Sequence, residues 1–286
     1  RRRRARSRCA RRRPTPATTE RRPSLPALPD PAPLTHRLPQ QAAAIFCDAS
    51  GFTALTERLA QKKNGAELMC SIMNRYLGEM ITITSNFSGD VIKFAGDALL
   101  VIFRVDRTRT QAGTFPDERV ATQMAAACAC RLNQKLNRWV AHQESPTEVN
   151  RLSLHIGVGC GVLTALHLGG IGAPVGVDRR LQPQWEFVLA GPPMAQLAVA
   201  EPLAASGETC ASKEAWAHLQ GLAEGHPASN DDGNNPDGDF MIIDSLDVDA
   251  LSVPRPPARL VMKREEKELM GWYIPKAVWP KLDAGL

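Results

Sequence analysis

Two carboxylates stand where chemistry is usually concentrated. Asp48 ends an apolar run, Ala42-Ala-Ala-Ile-Phe-Cys47, and Asp97 sits in the turn Ala95-Gly96-Asp97 between two further apolar runs. Two convergent carboxylates are what a hard Mg²⁺ ion needs while it keeps water and phosphate oxygens as its other ligands. Directly after Asp48 comes Ser50-Gly51-Phe52-Thr53, which opens a helical pattern. The unpaired N–H groups and positive dipole end of such a helix make an anion site for a triphosphate. Gly51 permits close backbone approach. The implied chemistry is metal-assisted reaction at a phosphate.

The elements that must position these groups follow from periodicity. Ala42 to Cys47 reads as a strand, and a helical pattern runs from Ser50 to about Leu59. A second helix spans about Ala66 to Thr84, with Leu68, Ile72, Tyr76 and Met80 at helical spacing. Val91–Phe94 and Leu99–Phe103 form a hairpin, with Gly96 free to take positive φ in its turn. Asp117 to His142 reads as one long Ala-rich helix opened by acidic residues. Leu152–Gly161 and Trp185–Leu189 read as strands, 169–183 as a loop, and about Pro193 to Ala204 as a helix. Glu208–Ala211 is a short strand, and Ser212 caps a helix to Leu219. Residues 224–238 read as a loop; its Asp231–Asp239 portion lacks the closing Glu of a calcium loop. Phe240–Ile243 reads as an edge strand, and Trp272–Leu282 as a final helix. This order predicts an α+β, ferredoxin-like antiparallel sheet with helices on one face and an added C-terminal lobe. The first strand of such a sheet lies beside the hairpin, so Asp48 and Asp97 meet at one edge.

Composition frames the rest. Of 286 residues, 43% are hydrophobic and only 5% aromatic, so the core rests on aliphatic side chains. Residues 1–22 hold eleven Arg against one Glu, although the whole chain carries only +5, so the remainder is acidic. Residues 1–40 are expected to be a disordered Arg/Pro-rich tail, with anionic membrane or nucleic acid as candidate partners. Residues 41–250 are expected to be the catalytic domain. Residues 251–286 are expected to be a Pro-rich linker and a C-terminal helix leaving the domain. Seven Cys without a CxxC pair fit a reducing compartment better than a disulfide or zinc framework. No apolar run reaches the length of a membrane span. The expected location is cytoplasmic, with membrane association through the tail. Gly157, Gly159 and Gly161 mimic a dinucleotide fingerprint, but no helix follows directly, so close packing of the strand is the better reading.

Phe46-Cys-Asp-Ala-Ser-Gly-Phe-Thr-Ala-Leu-Thr-Glu57 and Asp90-Val-Ile-Lys-Phe-Ala-Gly-Asp-Ala-Leu99 resemble the first catalytic domain of class III adenylyl cyclases. The likeness is greatest to the bicarbonate-responsive soluble (type 10) kind. It extends through Leu154–Gly161, Trp185–Gly191 and Ala204–Trp216. The resemblance implies conversion of ATP to 3′,5′-cyclic AMP and pyrophosphate, with two Mg²⁺ or Mn²⁺ ions held by Asp48, Asp97 and the backbone carbonyl of Ala49. It further implies phosphate binding by Ser50, Gly51, Phe52 and Thr53, and an active site shared with a second cyclase domain in cis or in trans.

The same resemblance implies that this chain lacks the other half of the site. Family positions for a ribose-orienting Asn and a transition-state Arg fall on Ala195 and Val199. Lys93, Val188, Leu189 and Ala198 would line the pseudo-symmetric second pocket, where a small-anion regulator acts in the soluble enzymes. The Arg that helps there is replaced by Ala198. His155 falls where a basic residue approaches the phosphates. A non-catalytic regulatory module and a guanylate cyclase are the alternatives. A diguanylate cyclase is disfavoured because the hairpin reads Phe-Ala-Gly-Asp.

Overall fold

A computed structural model describes residues 37–106, 113–146, 148–169, 185–229, 235 and 237–251. The tail before residue 37, the loop over 170–183 and the helix expected at Trp272–Leu282 lie outside the described residues. The chain order is β1 (Arg37–Ser50), α1 (Phe52–Ala60), α2 (Gly65–Asn86), β2 (Asp90–Ala95), β3 (Ala98–Arg104), α3 (Glu118–Leu136), β4 (Trp139–Gln143) and β5 (Val149–Gly169). Then come β6 (Trp185–Ala190), α4 (Pro192–Leu203), β7 (Thr209–Ala211), α5 (Lys213–Ala217), β8 (Ala223–Pro227) and β9 (Met241–Leu246).

The strands form one sheet in the order β2-β3-β1-β5-β7-β9-β8, with β4 and β6 also pairing along the long β5. The fold class is α+β, as expected. Two details of the expected sheet are corrected. It is mixed, because β7 runs parallel to β5. Its helices also lie on both faces. Alternation along β1 sends Ala43, Ile45, Cys47 and Ala49 into the main core with α1, α2 and α3. Ala42 and Ala44 face the other way, with Leu197 of α4. Small residues make this second layer feasible. Gly157, Gly159 and Gly161 of β5 lie beside Phe46, Ala44 and Ala42 of β1. A Cβ on Gly157 would meet the Glu201 amide nitrogen at 2.9 Å, and one on Gly159 the Pro193 carbonyl oxygen at 3.0 Å. These glycines form a groove in which α4 lies, as the close-packing reading required.

Three boundaries also differ from expectation. β1 begins at Arg37 rather than Ala42, because Arg37–Gln41 pair with Val162–Leu166 of β5. The long helix stops at Leu136: Asn137 is extended, Arg138 has φ 54°, and Trp139 starts β4. Packing overrides helical continuity there, since the Trp139 ring stacks 5.1 Å from Tyr76 and lies beneath the Arg75 guanidinium. The loop expected from residue 224 begins with β8, whose partner β9 supplies the hydrogen bonds its own sequence does not advertise.

Candidate active site

The site is built at the C-terminal end of β1. Cys47 pairs with Leu99 of β3, Asp48 with His155 and Ser50 with Ser153 of β5. The hairpin closes with Ala95 opposite Ala98, and Gly96 takes φ 70°, which sets Asp97 at its tip. The chain therefore brings Asp48 and Asp97 to one edge. Burial pushes the Asp97 carboxyl above its usual range, a backbone hydrogen bond opposes this, the charge of Asp48 adds to the rise, and His155 offsets part of it. Below them lies Tyr76, whose buried hydroxyl has no hydrogen-bond partner among the described residues. Burial raises its pKa, and Cys47, Asp97 and Asp48 push the same way.

Gly51 turns the chain from β1 into α1 at φ 95°, and a Cβ there would lie 2.7 Å from the Arg151 carbonyl oxygen. Glycine is required on both counts. No side chain caps α1 and no acidic residue occupies its first turn. Its leading N–H groups are thus left for another acceptor. Phe52 packs against the main core and anchors this end. Ala49 is buried, Ser50 half-buried and Thr53 exposed.

His155 is more engaged than its place in the sequence suggests. Its Nδ1 pairs with Ser50 Oγ at 2.9 Å. Its Nε2 lies 2.7 Å from Glu201 Oε1 and 3.4 Å from Asp48 Oδ2. Asp48, His155 and Glu201 thus present three ligand atoms within 4.8 Å of one another. Glu201 was missed by reasoning from sequence. One signal is present: it is the single charged residue of α4. The glycine groove brings it to His155, because the Glu201 backbone rests directly on Gly157. With Asp97 at the same edge, the donors are mostly carboxylate oxygens, a set that fits a hard divalent cation such as Mg²⁺ or Mn²⁺.

The residues assigned to the second pocket lie on β2, β6 and α4. Lys93 is exposed and pairs in register with Leu100. Leu189 packs against the Ala42, Ala44, Leu100 and Ile102 cluster. Val188 pairs with Leu166 and, by alternation, points to the opposite side from Leu189. Ala198 is exposed on α4, as is Ala195, while Val199 packs with Ala200 and Leu203. No described helix is long and apolar enough to cross a membrane.

Comparison with known proteins fits this geometry. Residues 35–173 match the model of the adenylate and guanylate cyclase catalytic domain. Adenylate cyclase type 10 of Rattus norvegicus is 42% identical over 66 residues, which are 22% of this chain and 4% of that protein. The Homo sapiens enzyme matches to the same extent. The chain therefore aligns with only a small fraction of these relatives' length. Among solved structures, the guanylyl cyclase Cya2 superposes with a TM-score of 0.52 at 17% identity, over 77% of this chain and all 100% of that one. The catalytic core of a rhodopsin-guanylyl cyclase with converted specificity, in complex with ATPalphaS, gives 0.52 at 17% identity, over 73% and 97%. At that identity the likeness speaks for the fold alone. Residues 35–173 therefore form a domain of the adenylate and guanylate cyclase catalytic family, on the fold these solved cyclases share.

Proposed function

We propose that this chain is the metal-donating half of an adenylate cyclase, converting ATP to 3′,5′-cyclic AMP and pyrophosphate at an interface with a second cyclase domain. The observation that carries the reading is the register that sets Asp48 at the end of β1 and Asp97 in the turn of the adjoining hairpin, near enough for their charges to interact, beside the uncapped start of α1. Asp48, Asp97 and the Ala49 carbonyl would hold two Mg²⁺ or Mn²⁺ ions. Such ions, when bound, make the ribose 3′-hydroxyl more acidic and neutralise charge at the α-phosphate. The chain's own groups do the positioning. The Gly51–Thr53 backbone takes the phosphates, and the Ser50 hydroxyl fixes the His155 ring. Glu201 holds the other side of that ring, so a phosphate reaching His155 must displace a carboxylate. ATP as substrate rests on the likeness to the type 10 adenylate cyclases.

The chain lacks the complementary groups, since Ala195 and Val199 offer neither a hydrogen bond nor a charge. Loss of a cationic phosphate clamp costs on the order of 10³-fold or more in rate, so a symmetric pair of these chains should be nearly silent. The test is cyclic AMP and cyclic GMP production with Mn²⁺ or Mg²⁺, for the chain alone and mixed with a cyclase half carrying the Asn and Arg. Activity only in the mixture, lost in Asp48→Ala and Asp97→Ala, is expected. Activity that survives either substitution would overturn the metal assignment. Silence in the mixture with nucleotide binding intact would favour a regulatory module, and cyclic GMP as product a guanylate cyclase.

A further inference from the structure

On the other face of β5, away from Asp48, a second group of ligating side chains converges. Cys160 is five residues from His155, so alternation turns it toward α3 rather than α4. Glu118 is the first residue of α3, and His218 ends α5. One ligand atom from each of the three lies within 4.8 Å of the others. His218 Nε2 is 3.4 Å from Glu118 Oε1.

The surroundings hold these groups in place. The Gln123 side chain donates to the His218 carbonyl at 3.0 Å, and the Thr122 hydroxyl donates to the Glu118 carbonyl at 2.7 Å. Gln196 Oε1 accepts from the Cys160 amide at 2.8 Å and from the Ser212 hydroxyl at 3.0 Å. Cys160 is buried, whereas the Glu118 and His218 side chains keep 22% and 30% exposure, which leaves an entry path from solvent.

We propose that Glu118, Cys160 and His218 form a zinc site that ties α5 and the C-terminal lobe to α3 and the central strand. Zinc bonds of about 2.0–2.3 Å to N, O and S in a tetrahedron place neighbouring ligand atoms roughly 3.3–3.8 Å apart. The His218–Glu118 separation already matches that edge. A thiolate and a carboxylate together neutralise Zn²⁺, and the thiolate and imidazole select it over Mg²⁺ or Ca²⁺. Three protein ligands leave a fourth position for water, and the charge of Glu214 reaches Cys160 from the first turn of α5. Burial pushes the Cys160 thiol up to about 12. It is therefore protonated without metal, and its proton leaves to solvent as the Zn–S bond forms.

Cobalt substitution tests this in the full chain, with excess Mg²⁺ present to fill any all-oxygen site. One equivalent of Co²⁺ should produce a thiolate-to-cobalt charge-transfer band, which a carboxylate site cannot give. Zn²⁺ should abolish the band and raise the Tm by several degrees, about what saturation of a tight site delivers. Cys160→Ser should remove the band. His218→Ala, at a position 30% exposed, should weaken Zn²⁺ binding by more than the roughly 10–100-fold that loss of an outer-shell partner costs. Absence of the band in the wild-type chain overturns the proposal. So does a band that persists in His218→Ala with unchanged zinc affinity, which holds even where Cys160→Ser does not fold.

Discussion

Gly157→Ala tests the contact on which the architecture of the site depends. Its new Cβ would lie 2.9 Å from the Glu201 amide nitrogen, 3.2 Å from Glu201 Cβ and 3.3 Å from Ala200 Cβ. All three atoms belong to or adjoin the helix backbone, so no flexible side chain can swing aside. Helix α4 must lift by several tenths of an ångström. Overpacking of this kind costs about 1–3 kcal/mol, and the lower entropy of an unfolded Ala returns about 0.5–1 kcal/mol. The expected net loss is about 0–2.5 kcal/mol, or a Tm lower by up to roughly 10 °C for a domain of this size. Gly78→Ala is the paired control. It lies inside α2 with no atom within 4 Å of the added Cβ, so it should gain about 0.5–1 kcal/mol. Urea and thermal unfolding of the three proteins read both effects. Gly157→Ala more stable than wild type, gaining as much as Gly78→Ala, would refute the packing of α4 on β5 and with it the placement of Glu201 beside His155.

Asp97→Asn should raise stability in metal-free buffer at pH 7. The folded pKa of Asp97 is raised, so between its ordinary and folded values the native chain binds more protons and stability falls as pH rises. Asn removes that loss; with the half-buried group still partly screened by solvent, the gain is about 0.2–1 kcal/mol. It should shrink as pH falls through the folded pKa, as urea unfolding between pH 5 and 8 would reveal; a less stable variant at pH 7 would contradict the charge argument. Tyr76→Phe should stabilise by about 1 kcal/mol, because it removes a buried hydroxyl without a partner; a loss instead would mean that the hydroxyl is bonded in solution. Ala195→Asn with Val199→Arg should move the chain alone toward cyclase activity; no gain would argue that the interface differs from the family's. That pair requires checking the fold, since Val199 packs with Ala200 and Leu203.

What was legible in the sequence was local. The run into Asp48, the helix start at Ser50–Thr53 and the Gly96–Asp97 turn each depend on neighbours within a few residues, and all appear at the positions read. The misreadings occur where distant partners decide. Residues 139–143 continue a helical pattern on paper but pair with β5, since Trp139 finds Tyr76 and Arg75 there. Residues 223–227 carry Gly, His and Pro and look like loop until β9 pairs with them. Arg37–Gln41 have no hydrophobic run of their own and become strand only because β5 extends alongside them.

Glu201 shows the same limit at the site itself. Its partner His155 is 46 residues away, and the two meet because glycine at 157 and 159 lets a helix lie almost on the strand backbone. The glycine spacing predicts close packing, but nothing in it says which residue is packed closest. Once α4 is in place, three carboxylates share one edge, and Glu201, only 17% exposed, is the most enclosed of them in ion-pair contact with His155. The charge of Asp48 acts against ionised Asp97, and the His155 imidazole offsets part of that repulsion. A fold that keeps such an arrangement is stabilised further by whatever positive charge enters it. The electrostatics that disfavour the edge without a cation would favour a divalent ion there, so the chemistry proposed for Asp48 and Asp97 and the cost of assembling them would have one origin.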